Sequence, residues 1–328
     1  MKKYILKRLI ISVIILFFVS LIIYAIMRSI PTSYVETQAR TLSQMPGAKS
    51  YSEWLEQLEA MYGLNVGLIP GFLKWLGNAI RGNFGDSWQH NVPVTQKFKE
   101  VIWDSFTLGS ISFMLQIMIS IPLGILAARK QYSRTDYAVT VFALLGISLP
   151  TFFFATVLKL VFSAWLGWFD LYGKVGRFYE QLTPFGKFLD VANHFTLPII
   201  TLTIVSVGSL MRYTRTNMLE VLNSDYIRTA RAKGLSERRV INHHAFRNTL
   251  IPVVTILGGS LPGLFAGAMI TETLFQIPGI GYTSYLSMVS GDIPFTMFYM
   301  VFMAVLTLLG TLIADILYSV VDPRVRIS

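Results

Sequence analysis

FTLGSISFMLQIMISIPLGILAA, residues 106–128, contains no Asp, Glu, Lys or Arg. A hydrocarbon core of about 30 Å is crossed by roughly 20 predominantly apolar residues in an α-helix, so this run has the length and polarity of a transmembrane span. The rest of the chain suits the same solvent: 53% of its 328 residues are hydrophobic and 14% charged, with a mean hydropathy of +0.54. That balance leaves too little polar surface for a water-soluble globule. Five further runs fall within spanning range, at residues 9–27, 138–158, 195–211, 250–275 and 295–317. The predicted fold class is an all-α integral membrane protein with six transmembrane helices. Pro150 removes a helical hydrogen bond inside the third run and is expected to bend it. That run has room to continue past Lys159 towards Phe169, with Trp165 and Trp168 suited to an interfacial belt.

Lys2, Lys3, Lys7 and Arg8 stand directly before the first run, as at the front of a secretory signal. The run is longer than a signal core and no small-x-small cleavage site precedes Arg28, so an uncleaved anchor is expected. Short loops retained in the cytoplasm carry Lys and Arg. With the amino end inside, residues 1–8, 129–137, 212–249 and 318–328 hold 17 Lys or Arg against five acids, while the outer segments hold ten against eleven. Both termini are therefore expected in the cytoplasm, the carboxyl end with Arg324 and Arg326. The net charge of +10 follows from this asymmetry and calls for no nucleic acid. The chain divides into a cytoplasmic amino terminus with the first span (1–30), an extracytoplasmic segment (31–105) and a core (106–328) that includes a cytoplasmic loop at 220–250. In the outer segment, residues 71–88 place Phe72, Trp75, Leu76, Ala79 and Ile80 at helical spacing and break at Gly82 and Gly85. A small cap on the membrane surface is expected there, and a docking face for a soluble partner is compatible with it.

The sequence holds no cysteine, hence no disulfide, thiolate nucleophile or Cys-ligated metal. His90, His194, His243 and His244 lack the i, i+4 spacing of a zinc helix. There is no Gly-x-x-x-x-Gly-Lys-Ser/Thr loop and no catalytic triad, so neither ATP nor Mg is expected to bind this chain. If ATP is used, another chain binds it. Three ionisable residues, Lys159, Glu272 and Asp315, lie in or near apolar runs, where charge is expensive and functional roles are frequent. Lys159 and Asp315 are close enough to run ends to snorkel. Glu272 precedes the Gly-Pro-rich turn QIPGIGY (276–282), where hydrogen bonding to the turn and a pathway or gating role are both open.

The most basic loop carries DYIRTARAKGLSERRVINHHAFRNTLIP, residues 225–252. Ser224 or Asp225 is expected to cap a helix of about nine residues, roughly 13 Å long. Gly234 ends it in the left-handed conformation, with Arg231 and Lys233 in the last turn complementing the helix dipole. Tyr226, Ala230 and Gly234 recur at i, i+4, i+8, a face with small residues that another protein can approach closely. A second cap at Ser236, with Glu237 in the first turn, starts a helix leading through Phe246 towards the fifth span. Arg238 and Arg239 suit anionic lipid headgroups at about 1 kcal/mol each.

This loop closely resembles the cytoplasmic loop of inner-membrane permeases in the peptide and nickel branch of ABC importers. Aligned on Gly234, Arg228, Thr229 and Ala230 occupy the positions of the Glu-Ala-Ala pattern of the wider importer group; only Ala230 and Gly234 match it literally, and Arg-Thr-Ala resembles the form of the peptide branch. Further similar stretches follow in order: YGLNVGLIPGFLKWLGNAIRGNFGDSW, ISIPLGILAARK, LLGISLPTFFFATVL, ETLFQIPGIGY and DILYSVVDPRVR. The resemblance implies a type I ABC importer permease fold of six spans, the first permease of a pair with an extracytoplasmic segment after helix 1, in a bacterial inner membrane. It further implies a second homologous permease, two ABC ATPase subunits that bind ATP and Mg, and an extracytoplasmic substrate-binding (lipo)protein. Di- or oligopeptides are the expected ligands, although relatives carry nickel chelates and other small solutes. Asp225, Tyr226, Arg228, Thr229, Ala230, Lys233, Gly234 and Leu235 then become the residues coupling the chain to an ATPase. A secondary transporter or channel would instead take up its ligand with no nucleotide-binding partner.

Overall fold

The computed structural model describes residues 2–29, 33–61 and 63–321; Arg324 and Arg326 lie outside them. No strand forms among the described residues, and one isolated bridge joins Asp86 to Pro93. Among the described residues four helical runs are long and apolar enough to cross a membrane, and two bent pairs reach that length together, which makes six if each pair is one span. The chain forms two compact units, residues 1–103 with 283–308, and residues 104–282 with 309–328.

The first unit contains α1 (Lys2–Ser29), α2 (Ser33–Ser43), α3 (Tyr51–Met61) and α4 (Leu68–Ile80). It also takes in the start of α5 (Val94–Arg129), most of α13 (Ile280–Ser290) and the first half of α14 (Ile293–Val321). Tyr24 and Met27 of α1, Val35 and Ala39 of α2, Leu58 of α3, Phe72 of α4 and Met297 of α14 share one core with Trp88. The guanidinium of Arg28 donates to the carbonyls of Gly63, Leu64 and Val66 at 2.9, 2.7 and 2.6 Å. The charge that closes the first span thereby turns the following loop around its own end. Gly82 and Gly85 have φ of 80° and 84°, which ends α4 where the glycines predict. Buried Asp292 accepts from the Ser87 hydroxyl, from Gln89 N at 3.3 Å and from Phe295 N at 3.2 Å, the last capping α14. The outer segment shares its core and polar ties with α1 and residues 283–308.

In the second unit the rest of α5 is followed by α6 (Arg134–Ser148), α7 (Thr151–Leu158), α8 (Pro184–Leu222) and α9 (Asp225–Ala232). Then come α10 (Glu237–Arg239), α11 (Phe246–Ser260) and α12 (Met269–Phe275). The helix α8 packs on α6, α7, α11 and α12. Close approach depends on glycine: a Cβ at Gly208 would collide with the Ala143 carbonyl oxygen, one at Gly146 would lie 2.7 Å from the Ile204 oxygen, and one at Gly124 2.7 Å from the Met211 oxygen. Lipid supplies no hydrophobic drive between helices, so such small-residue contacts carry the association. Gly208→Val is expected to lower the amount of chain in the membrane fraction at least about tenfold, since it overpacks a backbone contact. Gly77→Ala, where a Cβ meets nothing within 4 Å, should stay near wild type on the same immunoblot.

Two expected spans differ from the runs that forecast them. The third breaks at Pro150, where a bend is expected, and the break is sharp: Arg134–Ser148 and Thr151–Trp165 meet at 103°. The residue before a proline is driven out of the α region, and Leu149 is extended at φ −83°, ψ 126°. The chain continues past Lys159 as a π-helix, Lys159–Trp165, ending with Trp165 and Trp168 exposed. The fifth run was expected to reach Phe275. Instead α10 passes through a π-helix (Val240–Ala245), α11 and a 3₁₀ turn (Leu261–Phe265) before the helical path stops. Gly267 at φ 79° and Ala268 at φ −107°, ψ 72° interrupt it, and α12 is a separate short helix.

Candidate functional site: an exposed short helix and a buried carboxylate

Sequence places a short helix in the basic loop, and α9 is that helix, eight residues long. Gly234 follows it at φ +75°, and its N–H donates to the Arg231 carbonyl at 2.9 Å while that of Lys233 donates to Thr229 at 3.1 Å. These bonds satisfy carbonyls at the helix end, as expected for a left-handed glycine at C′. The start differs. Neither Ser224 nor Asp225 caps through its side chain: the Ser224 hydroxyl donates at 2.6 Å to the Val221 carbonyl. That carbonyl belongs to the end of α8, whose own orphan acceptors compete for the hydroxyl. Asp225 faces solvent and lies 3.6 Å from Arg228, an exposed pair that contributes little.

The expected face of Tyr226, Ala230 and Gly234 also needs correction. Ile227 and Ala230 are the buried side of α9, packed with Ala128, Met218, Val240, Ile241 and Ala245, and Leu235 joins this cluster from the edge. Ala230 is therefore an anchor within the chain. The outward side is Tyr226, Thr229 and Lys233, at i, i+3 and i+7, flanked by Asp225, Arg228 and Gly234. A Cβ on Gly234 would meet nothing within 4 Å, so its surroundings are open.

Ser236 likewise makes no side-chain cap. Glu237 instead receives Arg231 through Nε at 3.1 Å and Nη2 at 2.8 Å, bridging the end of α9 to the start of α10. Below the loop, Arg215 near the end of α8 donates in bidentate fashion to buried Asp136 at 2.7 and 2.8 Å. Asp136 also accepts from Tyr132 N at 3.0 Å, fixing the turn between α5 and α6. In the sequence these two residues count only towards the charge of the inner segments; the one local signal is Ser133, whose hydroxyl caps α6 by accepting from Asp136 N. Asp136→Ala leaves Arg215 without this partner, and a loss of about 2–4 kcal/mol is expected, read as a lower melting midpoint of the purified protein.

Glu272 is fully buried in α12 and accepts three hydrogen bonds, from the Ser105 hydroxyl at 2.7 Å, Ala268 N at 2.8 Å and Tyr282 N at 3.0 Å. The Ser105 hydroxyl in turn accepts from Ile280 N at 2.8 Å. A Cβ at Gly279 would collide with the Glu272 carboxyl, so the turn must be bare where it passes. Of the two roles open for Glu272, this geometry supplies hydrogen bonding to the turn. Lys159 donates at 2.5 Å to the Leu274 carbonyl at the end of α12 and sits 3.8 Å from the Tyr172 ring centroid. It too fastens α12. Asp315 is half-buried in α14.

Helices of spanning length, irregular backbone within the membrane-length runs and a charged loop that presents a seated helix make an all-α chain of membrane-spanning composition. The model of the family described as binding-protein-dependent transport system inner membrane component matches residues 120–327, and the chain belongs to that family. It is 38% identical over 327 residues to the oligopeptide transport system permease protein AppB of Bacillus subtilis (strain 168), covering 99% of this chain and 100% of that protein. It is 34% identical to the oligopeptide transport system permease protein OppB of Haemophilus influenzae, at 99% and 100% coverage. Identity to the dipeptide transport system permease protein DppB of Escherichia coli (strain K12) is 32%, at 99% coverage of both. Among solved structures, a chain of the MetNI methionine ABC transporter in inward-facing conformations matches with a TM-score of 0.54 at 14% identity, covering 70% of this chain and 97% of that one. The fold is therefore that of an ABC importer permease.

Proposed function

We propose that the chain forms half of the translocation path of an ATP-driven importer of di- or oligopeptides, and that α9 is the contact through which an ATPase subunit moves it. The observation that carries this reading is the two-sidedness of α9. Its Ile227 and Ala230 are buried against residues of α5, α8 and the start of the run into α11, while Tyr226, Thr229 and Lys233 face outward. A push on the outer side is thus delivered to several spans at once. Moving a conformational ratio from 1:99 to 99:1 takes about 5.5 kcal/mol, which a floppy loop would not transmit. Peptide as ligand rests on relatives named for oligopeptide and dipeptide transport. ATP and Mg belong to two partner ATPases, a second permease completes the path, and a binding protein delivers the ligand from outside. The excess of Lys and Arg in residues 1–8, 129–137 and 212–249 favours an amino terminus and an α9 in the cytoplasm.

The absence of cysteine from the chain makes the contact directly testable. Thr229→Cys and Lys233→Cys, treated with a bifunctional thiol–amine reagent in native membranes, are expected to cross-link to the ATPase subunit. Cross-links from neither position, in a complex that takes up peptide, would refute the assignment. Uptake with both ATPases deleted would point to a secondary transporter.

A further inference from the structure

Phe72 of α4 sets the depth of the outer segment. Its ring meets those of Phe17 and Tyr24 on α1 at centroid distances of 5.6 and 5.7 Å. Both stand on one continuous helix, Lys2–Ser29, that ends beside Arg28. Tyr24 precedes Arg28 by about one turn and Phe17 by about three, which is roughly 6 and 16 Å along the axis. Arg28 is the charge that closes the first apolar run, so α4 packs against the membrane-spanning part of α1 and not above it. The contact is close: a Cβ at Gly71 would collide with the Tyr24 hydroxyl. A cap on the membrane surface is expected from the sequence, and α4 lies below that surface.

The helix has three sides. Phe72 and Trp75 face α1, the Trp75 ring 6.4 Å from that of Tyr24. Ile69, Leu73, Leu76 and Ile80, at i, i+4, i+7 and i+11, form a second side, on which Ile69, Leu73 and Ile80 are 54%, 55% and 78% exposed. Gly71, Lys74 and Asn78, at i, i+3 and i+7, form a third side opposite the second. With Arg28, Asn83 and Asp86 they line a cavity of about 510 Å³. Polar groups on one side of the axis and bulky aliphatic groups on the other are the arrangement of a helix lying in the plane of a membrane interface. Helices that pack on one another in lipid use small residues at the contact. The aliphatic side of α4 has none, and it matches the exposed Phe18, Ile22 and Ile26 of α1 in chemistry.

We propose that α4 is immersed in the outer leaflet, with Ile69, Leu73, Leu76 and Ile80 against lipid acyl chains and with Lys74 and Asn78 at the level of the headgroups. The partner of the exposed aliphatic side is thus the bilayer itself. Which leaflet this is rests on the orientation proposed above; the immersion does not. Because Phe72 shares its core with Ala39 of α2 and Leu58 of α3, the same lipid contact anchors the remainder of the outer segment.

Single cysteines test this in a chain that has none of its own. Leu73→Cys and Ile80→Cys on the aliphatic side, and Lys74→Cys and Asn78→Cys on the polar side, are labelled with a nitroxide in the full complex in proteoliposomes, the other subunits lacking reactive cysteine. Collision with dissolved oxygen, which concentrates in lipid, is compared with collision with a water-soluble nickel chelate. The ratio of the two is expected to be at least about fivefold higher at positions 73 and 80 than at 74 and 78, because a polar chelate is excluded from hydrocarbon. Equal ratios would overturn the proposal. So would labels at 73 and 80 that neither reagent reaches, or labelled complexes that fail to assemble, since both outcomes mark a surface packed against protein. An impermeant thiol reagent added from outside to cells carrying Lys74→Cys decides the leaflet separately: no reaction there refutes the orientation and leaves the depth contrast to stand.

Discussion

Glu272→Leu is expected to remove most of the protein from the membrane fraction, and Glu272→Gln to leave it inserted but with a melting midpoint lower by several degrees. The leucine strands three donors, the buried Ser105 hydroxyl and the half-buried amides of Ala268 and Tyr282. Each stranded donor costs about 1–3 kcal/mol, so the total approaches the whole stability of a typical domain. Glutamine keeps one oxygen and sets its NH₂ against at least one donor, a loss of about 1–3 kcal/mol. In both variants the turn between α12 and α13 is released. Uptake per correctly folded complex should be close to wild type in Glu272→Gln. A variant that melts normally and yet fails to transport would instead make Glu272 part of the path.

The second large effect separates the two sides of α9. Thr229→Trp projects a ring from the outward side, where the hydroxyl only bonds back to Asp225 O at 2.9 Å. Ala230→Trp forces the same ring into the cluster of Met218, Ile227, Ile241 and Ala245. Overpacking of a closed core costs about 1–3 kcal/mol or more, and the seat of the helix is lost. With an ATPase docking on α9 as proposed, Thr229→Trp should yield a stable permease that co-purifies at least about tenfold less ATPase, a change of about 1.4 kcal/mol or more. Ala230→Trp should become sensitive to protease in the loop itself, with or without ATPase present. Normal ATPase recovery with Thr229→Trp would remove α9 from the contact.

The spans are legible because a bilayer demands long apolar runs, and α1, α5, α8 and α14 contain the runs that announce them. Apolarity does not say where a run turns. Pro150 marks the break in the third span, but the extended Leu149 before it makes the angle 103°. The segment from Met269 to Phe275 stands at the end of the fifth apolar run and yet folds as a separate helix, because Gly267 adopts a left-handed conformation that composition does not reveal. Gly234 is readable for the opposite reason: a glycine just past the end of a short basic helix has few other uses. Which side of α9 faces inward is not readable, since Ile227 and Ala230 are covered by Met218 and by residues 240–245, which local periodicity does not identify. Glu272 stands out as a charge in an apolar run; its partner Ser105 lies 167 residues away. Nor does any local pattern pair Asp136 with Arg215.

If this chain moves peptide only when an ATPase works through it, as proposed, a labelled peptide accumulates only with ATP. The complex is reconstituted with both permeases, both ATPases and the loaded binding protein, with ATP and Mg on the ATPase side. Accumulation with ATP, none with a non-hydrolysable analogue and none with Thr229→Trp is the predicted result. Accumulation that proceeds equally without ATP, or with the ATPases left out, would refute ATPase-driven transport through this chain.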